Sequence, residues 1–477
     1  MSISATRREF LKLSTVGLAG TVTPQFIPAF ANSGDTAQAS GQIEVWTTNQ
    51  RLRCQKTAAL AWRAGTSSPS GALISLNPEK QFQEILGFGG AFTDAACYMF
   101  NQLSPEVREK LFHEMFHPNE LGLNVCRTCM GASDYSTHVY SYDEGEADPE
   151  LKRFSIDYDS KNILPILRAA RKLNPELFLF SSPWSPPGWM KSGGTMLGGA
   201  MQRRHIKTYA QYFVKFLQAY TAEGIPIQAV TPQNEVDTDQ DGRMPACIWA
   251  QEYEIEFVRA LGPLLRQNNF STKIWILDHN YNLWGRATCE LEDSELRQYC
   301  KDVAWHGYVG GPEMMSKVHD AHPEVGMHWT EGGPDYTTPD YLTDWTRWSG
   351  VFSNVLHNWC ESITAWNLAL DEKGRPNLGP FPCGGMVMIN SKTKEISRSG
   401  QYWGMAHFSR FVRRGARRLD STSTLPQVNH VLFGNPDGQK VLVLTNVGAA
   451  QQVSVRLGGS AIDVALDADS VSTLKWA

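Results

Sequence analysis

Eight short β-like runs, separated by helical stretches, constrain the fold of this 477-residue chain more than any other feature. Residues 209–221 and 251–265 carry apolar side chains at helical spacing, and residues 162–173 do so around an early Pro165, which a first helical turn tolerates. Strand–helix alternation favours a parallel sheet, and eight repeats favour an α/β fold closed into a (β/α)₈ TIM barrel over an open doubly wound sheet. The eight runs are residues 87–93, 123–131, 177–184, 227–235, 273–280, 302–308, 326–332 and 362–370.

The two ends of the chain have a different pattern from the middle. Residues 42–80 contain strand-like runs, and after about residue 405 the runs are β-like, with a hairpin turn at Asp437-Gly438. We therefore expect both ends to pair into one small β-sandwich beside the barrel. The predicted division is 1–31 signal segment, 42–80 N-terminal sandwich strands, 81–404 barrel and 405–477 C-terminal sandwich.

The N-terminus is typical of a twin-arginine export signal. Arg7 and Arg8 precede an apolar stretch over residues 13–30, and Ala29-Phe30-Ala31 is a small-residue cleavage site. This pattern predicts a bacterial protein that the twin-arginine translocase exports to the periplasm or the medium. Elsewhere no run approaches the 18 apolar residues of a membrane span, so no stable membrane anchor is expected after signal removal.

Charge and cysteine content argue against two classes of function. The net charge is −5 and the pI about 6.2, so a nucleic-acid-binding surface is not indicated. The nine cysteines are scattered over a long chain and do not resemble a small disulfide framework. Cys126 and Cys129 lie on a predicted strand, where residues three apart point to opposite faces, so shared metal ligation is not expected.

Two glutamates occupy the ends of predicted barrel strands. Glu235 ends the fourth run and Glu331 lies near the end of the seventh, 96 residues later (331 − 235). That spacing corresponds to about three β/α units of about 30 residues. Hydrolysis of a glycosidic bond needs such a pair, because one carboxyl protonates the leaving oxygen while the other stabilises or attacks the sugar carbon.

Further polar and aromatic side chains lie at other strand ends. Barrel enzymes place their active sites at the carboxyl ends of the strands, so we expect these residues to meet the two glutamates at one end of the barrel. They are Asp134, Trp184, Asn234, His306, Tyr308 and Trp366.

Several motifs make the chain resemble glycoside hydrolase family 30, the glucosylceramidase-like enzymes of the retaining (β/α)₈ clan, over about residues 42–477. The matching segments are Gly87-Phe88-Gly89-Gly90-Ala91-Phe92-Thr93-Asp94-Ala95, Ser182-Pro183-Trp184-Ser185-Pro186-Pro187-Gly188-Trp189-Met190-Lys191, Val230-Thr231-Pro232-Gln233-Asn234-Glu235, Trp329-Thr330-Glu331 and Ala365-Trp366-Asn367-Leu368-Ala369-Leu370.

The resemblance implies a role for the two glutamates and for the residues that hold them. Glu331 is similar to the family nucleophile and Glu235 to the general acid/base, which requires a protonated Glu235 and an ionised Glu331. Arg127 resembles an arginine beneath the site. His306 and Tyr308 resemble residues that flank the nucleophile.

The resemblance also implies which residues contact the sugar. Asn234 is similar to the asparagine that binds the 2-hydroxyl, Asp134 and Trp184 to contacts on the far side of the ring, and Trp366 to an aromatic wall of the pocket. Val236 stands where family members often have proline. The segment 378–385 differs from animal glucosylceramidases and is expected to border the aglycone side.

A zincin-like motif offers a competing interpretation. His113-Glu114-Met115-Phe116-His117 matches the His-Glu-x-x-His pattern of metalloproteases. It falls in the helix after the first strand, remote from the strand tips, and Pro118 is expected to end that helix. An ordinary barrel helix is therefore predicted here.

The sequence thus predicts a retaining β-glycosidase that acts on β-glucosides and needs no metal or organic cofactor. Its partner is a carbohydrate or glycoside substrate. Within the same scaffold, a β-1,6-glucanase, a β-xylosidase or a β-fucosidase is the alternative. A non-catalytic carbohydrate-binding protein is a remoter alternative, because loss of either glutamate would mark that class and both are present.

Overall fold

The computed structural model describes residues 41–65 and 73–477, and the predicted signal segment 1–31 lies outside them. The described chain begins with strands that belong to the sandwich. They are β1 (Gln42–Thr48), β2 (Gln55–Lys56), β3 (Leu60–Ala61), β4 (Arg63–Ala64) and β5 (Leu73–Glu84).

Eight parallel strands then close into a barrel in the spatial order β10-β11-β12-β13-β6-β7-β8-β9. Each of the eight predicted runs overlaps one of these strands, which confirms the barrel and excludes an open sheet. The strands are β6 (Gly87–Phe92), β7 (Val125–Cys129), β8 (Phe178–Ser182), β9 (Ala229–Val230), β10 (Lys273–Asn280), β11 (Cys300–His306), β12 (Gly326–Glu331) and β13 (Cys360–Asn367).

Helices alternate with the barrel strands and include those predicted from apolar spacing. Pro165 lies in the first turn of α4, and α2 ends at Phe116, two residues before Pro118, as expected. The helices are α1 (Asp94–Asn101), α2 (Pro105–Phe116), α3 (Asp157–Asn162), α4 (Leu164–Leu173), α5 (Ile206–Ala222), α6 (Gln251–Gln267), α7 (Trp284–Leu291), α8 (Glu313–Ala321) and α9 (Trp345–His357).

The remaining elements are a separate three-stranded sheet (β14–β16), the helix α10 and the other strands of the sandwich (β17–β22). They are β14 (Ala369–Leu370), β15 (Val387–Ile389), β16 (Ile396–Arg398), α10 (Gly400–Ser409), β17 (Arg417–Ser423), β18 (Val428–Gly434), β19 (Lys440–Asn446), β20 (Gln451–Leu457), β21 (Ser460–Leu466) and β22 (Ser470–Trp476). β1 pairs with β22, and β5 lies between β17 and β20, so the sandwich is built from both ends of the chain as predicted. The expected division at residues 404 and 405 falls inside α10, and the sandwich strands resume at Arg417.

The barrel interior is filled in layers. One buried layer consists of Val125, Phe180, Ala229, Trp275 and Ala304, contributed by five neighbouring strands. The barrel interior is therefore a packed core and not an open pore. Among the described residues, none of the helices is long and apolar enough to span a membrane.

Candidate active site

Glu235 and Glu331 line one cavity of about 540 Å³ at the carboxyl end of the barrel strands. Glu331 is the last residue of β12, whereas Glu235 lies five residues after β9. β9 ends earlier than predicted; Pro232, which follows shortly after it, has no N–H to donate to a neighbouring strand. The chain then turns at Glu235, whose φ is +55°, and the Glu235 amide donates to the Asp278 carbonyl over 3.1 Å.

Arg127 lies beneath the cavity and binds Glu331. Its guanidinium is fully buried on β7 and donates through Nη1 to Glu331 Oε2. Nη2 donates to Asn234 Oδ1 at 2.8 Å and to Asp278 Oδ2 at 2.6 Å. Tyr308 donates its hydroxyl to the other oxygen, Oε1 of Glu331, at 3.0 Å. Both carboxylate oxygens of Glu331 are therefore fixed by donors.

His306 connects the two glutamates. Its Nδ1 lies 3.3 Å from Glu235 Oε1, and its Nε2 lies 3.2 Å from Asp278 Oδ1 and 3.7 Å from Glu331 Oε2. Burial lowers the pKa of the imidazole, but Glu331, Asp278 and Glu235 outweigh that effect and raise it to about 9. His306 is consequently a second buried cation beside Arg127 at neutral pH.

The two glutamates have opposite pKa shifts. Burial, opposed by His306 and Arg127 and reinforced by Glu235 and Asp278, raises the pKa of the Glu331 carboxyl. Burial acts on Glu235 too, but the hydrogen bond from His306 and the charges of His279 and His306 hold its pKa below the usual value. In the ligand-free site Glu331 therefore binds a proton more readily than Glu235. The sequence led us to expect a protonated Glu235 and an ionised Glu331. The pKa shifts in the ligand-free site have the reverse order.

The indole rings of Trp184 and Trp366 and the carboxylate of Asp134 form another part of the cavity wall. Trp184 and Trp366 stack with ring centroids 4.9 Å apart, and the Arg127 guanidinium lies 4.6 Å from the Trp184 ring. Asp134 is 4% exposed, and its Oδ1 has no hydrogen-bond partner among the described residues. A buried acceptor without a partner is suited to a ligand hydroxyl.

All nine residues singled out in the sequence therefore lie at this end of the barrel, lining the cavity or directly beneath it. Their individual roles remain predictions. The segment 378–385 reaches the same cavity through Phe381, Pro382 and Cys383.

Sequence reasoning missed three residues that touch Glu235 or its partners. Asp278 and His279 lie near the end of β10, and Gln240 donates to Glu235 Oε2 over 2.9 Å. The polar triplet Asp278-His279-Asn280 at a predicted strand end was a usable signal for the first two. Nothing in the sequence indicates Gln240, because its position depends on the loop that follows Glu235.

Neither of the two motifs set aside from the sequence contributes a residue that lines the cavity. Glu114 of the His-Glu-x-x-His segment forms an ion pair with Arg398 and accepts from the Tyr402 hydroxyl. Cys126 packs in the core outside the barrel, whereas Cys129 packs with Trp184 and Trp366, so the two thiols lie on opposite faces of β7 as expected.

Family models match nearly the whole described chain. The glycosyl hydrolase family 30 TIM-barrel domain matches residues 85–412, and the glycosyl hydrolase family 30 β-sandwich domain matches residues 415–474.

Curated relatives and solved structures agree with these models. An endo-1,6-β-D-glucanase of Neurospora crassa is 31% identical over 93% of this chain and 90% of its own length. The lysosomal acid glucosylceramidase of Mus musculus is 30% identical over 83% of this chain and 81% of its own. The solved structure of the endo-β1,6-glucanase BT3312 is 30% identical, with a TM-score of 0.82, and the match covers 92% of this chain and 100% of that one.

Proposed function

The chain belongs to glycosyl hydrolase family 30, and we propose that it hydrolyses β-glucosidic bonds with retention of configuration, using Glu331 as nucleophile and Glu235 as acid/base. One observation carries this assignment: two carboxyls face the same cavity, and Glu331 is the one that pairs with the permanent cation Arg127, while Tyr308 donates to its other oxygen. A nucleophile must stay ionised and oriented, which Arg127 and Tyr308 provide.

The first step forms a covalent glycosyl-enzyme. Glu331 attacks the anomeric carbon while Glu235 gives its proton to the glycosidic oxygen, and the aglycone leaves as an alcohol. In the second step Glu235 takes a proton from water, whose oxygen attacks the same carbon from the face that the aglycone left. Glu331 is released, and the sugar keeps its β configuration.

Substrate binding favours the protonation state that catalysis needs, with the proton on Glu235 and not on Glu331. A glycosidic oxygen has no proton to donate, so it accepts a hydrogen bond only from a protonated Glu235. Arg127 and Tyr308 meanwhile donate to Glu331 and favour its ionised form. A proton bound by the pair therefore resides on Glu235 in the complex, and Glu331 is left ionised and able to attack.

The glycone is held against the stacked indoles. Asp134 Oδ1 and Asn234 offer polar contacts to sugar hydroxyls, and Trp184 and Trp366 cover the apolar face of the ring. Asn234 receives a hydrogen bond from Arg127, which orients its amide toward the cavity.

The size of the cavity favours a substrate longer than one sugar. Twelve non-hydrogen atoms of a hexose fill roughly 360 Å³ even if each takes the ~30 Å³ of a water molecule. The cavity of about 540 Å³ exceeds this, and Val309 and Phe381 line it with exposed apolar side chains. A β-1,6-linked glucan is therefore the second candidate substrate, beside glucosides with an apolar aglycone such as glucosylceramide.

A panel of aryl β-glycosides (glucoside, xyloside, fucoside, galactoside), with gentiobiose, β-1,6-glucan and glucosylceramide, tests this assignment. We expect turnover of the glucoside and of one glucosyl polymer or lipid, lost in Glu331→Ala and strongly reduced in Glu235→Ala. Activity confined to another sugar would overturn the glycone. Full activity in either variant would overturn the assigned pair.

We also propose that residues 1–31 direct export through the twin-arginine translocase to the periplasm or the medium. The support is the sequence pattern around Arg7 and Arg8, which lies outside the described residues. Replacement of both by lysine should retain the protein in the cytoplasm of a bacterial host. Unchanged export of that variant would contradict the assignment.

A further inference from the structure

Three potential metal ligands converge in the active site, and one of them is the proposed acid/base, Glu235. Glu235 Oε1 lies 3.3 Å from His306 Nδ1 and 3.7 Å from His279 Nδ1, and all three atoms lie within 4.8 Å of one another. Ligands that bind tetrahedral Zn²⁺ at about 2.0–2.2 Å lie about 3.3–3.6 Å from one another. Small side-chain adjustments would therefore bring these atoms to zinc geometry.

The outer contacts of both imidazoles resemble those of zinc-binding histidines. His279 Nε2 lies 2.5 Å from Asp237 Oδ1, and His306 Nε2 lies 3.2 Å from Asp278 Oδ1. A metal-bound histidine almost always donates its second N–H to such a carboxylate, which turns the lone pair of the other nitrogen toward the metal. Here that other nitrogen is Nδ1 in both rings, and both face Glu235 Oε1.

A second group in the described part of the chain lacks these features. Asp302, His328 and Glu361 also approach one another, but Lys273 Nζ lies 3.6 Å from Asp302 and supplies a positive charge there. His328 places its Nδ1 against the Ser362 hydroxyl at 2.9 Å. The trio at Glu235 is therefore the better candidate.

We propose that Glu235, His279 and His306 bind a divalent transition-metal ion of the Zn²⁺ type, and that the bound ion inhibits hydrolysis. Glu235 and His279 line the substrate cavity, so a fourth coordination position is open to water or substrate. On binding, His306 releases its Nδ1 proton to solvent, and the charge of the ion replaces it.

The expected inhibition follows from the oxygen that the ion would occupy. Glu235 Oε2 already accepts from Gln240, which leaves Oε1 for the metal. A Glu235 carboxylate bound to Zn²⁺ is held ionised and cannot protonate the leaving group. This inhibitory effect rests on the proposed function, whereas metal binding itself does not.

Calorimetric titration of the chelator-treated full chain with ZnCl₂ tests the site without any turnover. We expect one tightly bound Zn²⁺ per chain and, with Co²⁺, the visible absorption of a tetrahedral site. His279→Asn should abolish this binding. Asp237→Asn, at a side chain 43% exposed, should weaken it about 10- to 100-fold without threatening the fold.

His113→Asn is the matched control. His113, in the last turn of α2, and His117, just after that helix, stack with ring centroids 4.5 Å apart, and neither lines the cavity. Binding that is unchanged in His113→Asn and lost in His279→Asn supports the proposal. Absence of saturable binding in the wild type, or binding that survives His279→Asn, would overturn it.

An activity arm separates this inference from the proposed function. Zn²⁺ should inhibit aryl glucoside hydrolysis by the wild type, and the residual activity of Asp237→Asn should need at least about tenfold more Zn²⁺ for the same inhibition. If no glycoside is turned over, the proposed function fails while the titration still decides the metal site. If glycosides are turned over and stoichiometric Zn²⁺ leaves the rate unchanged, the inhibitory site is refuted.

Discussion

Asp278 organises the groups beneath the two glutamates although it does not line the cavity. It is completely buried, and burial raises the pKa of its carboxyl, but Arg127 and His306 outweigh that effect and hold the pKa well below the usual range. Its ionised oxygens accept from charged and neutral donors that surround both glutamates, namely Arg127, Ser182, Thr231, His306 and Thr330. Asp278 is thus a positioning residue that acts through Arg127 and His306.

Asp278→Asn should lower kcat about 100-fold and change KM little. The substitution removes the charge that orients Arg127 and His306, and a misplacement of about 1 Å in such groups costs about that factor. Steady-state kinetics on the substrate identified in the panel measure the effect. Ser182→Ala, which removes one neutral donor from the same carboxylate, should cost much less, and equal losses in the two variants would contradict the role of the charge.

At the scale of secondary structure, a bulge in β10 aims Asp278 at the site. Leu277 and Asp278 have φ of +75° and +46°, and the pairing of β10 with β11 shifts register between Leu277 and His279. Residues other than glycine adopt such angles only when their surroundings impose them. Here Glu254 Oε1 on α6 accepts the Leu277 amide at 2.8 Å, and Arg286 on α7 binds both Glu254 and Glu290.

Arg286→Met should reduce the free energy of unfolding by about 3–5 kcal/mol, because it leaves two buried carboxylates without their cation. Urea denaturation measures the change. Arg259→Met is the matched control, since Arg259 pairs with Asp293 while 40% exposed, and such a pair contributes no more than about 1 kcal/mol. Similar losses in the two variants would show that the Glu254 cluster does not support the bulge.

The barrel strands were predictable because the sequence patterns that indicate them lie within the strands themselves. Apolar runs identified all eight barrel strands, and Pro165 and Pro118 correctly marked a helix start and a helix end. The bulge in β10 was not predictable, because it depends on Glu254 from a different element. Side chains alternate between the two faces of a regular strand, but the bulge breaks this alternation. A prediction that does not include the bulge therefore cannot tell which member of Asp278-His279-Asn280 points toward Glu235.

At the scale of the whole molecule, α10 and the sandwich share a buried interface with a histidine at its centre. His407 places Nδ1 2.8 Å from the Thr473 hydroxyl on β22 and Nε2 2.7 Å from the Thr48 hydroxyl on β1. Burial, with a smaller effect of Arg410, lowers the pKa of this imidazole to about 3. The fold therefore contains a neutral histidine where the two ends of the chain meet α10.

Stability should consequently fall in acid. A histidine with a depressed folded-state pKa contributes fully above its unfolded value of about 6.5, and the contribution is lost as the pH falls toward 3. The loss amounts to at most about 1.4 kcal/mol per pH unit from this group. His407→Gln should flatten the dependence of unfolding free energy on pH between 6.5 and 4, whereas His138→Gln, at an exposed position, should not. Parallel pH profiles for wild type and His407→Gln would contradict the assignment.

The sequence predicted that a sandwich domain is present, but not how all of its strands pair. Hairpin signals and alternating runs at both ends indicated it, and β1 and β22 do pair. The parallel pairing of β5 with β20 joins segments almost 400 residues apart, and no local pattern specifies it. The continuation of α10 past residue 404 was likewise missed, because the helix packs against distant elements, chiefly α9 and also β6 and β22.

The most direct test of the central claim is covalent trapping with 2,4-dinitrophenyl 2-deoxy-2-fluoro-β-D-glucoside, followed by mass spectrometry of the digested protein. Fluorine at C2 slows both chemical steps, and the good leaving group restores the first, so the glycosyl-enzyme should accumulate. We predict one label per chain, on Glu331, with time-dependent loss of activity. A label on Glu235, or no label on an enzyme that hydrolyses the parent glucoside, would contradict retention through Glu331.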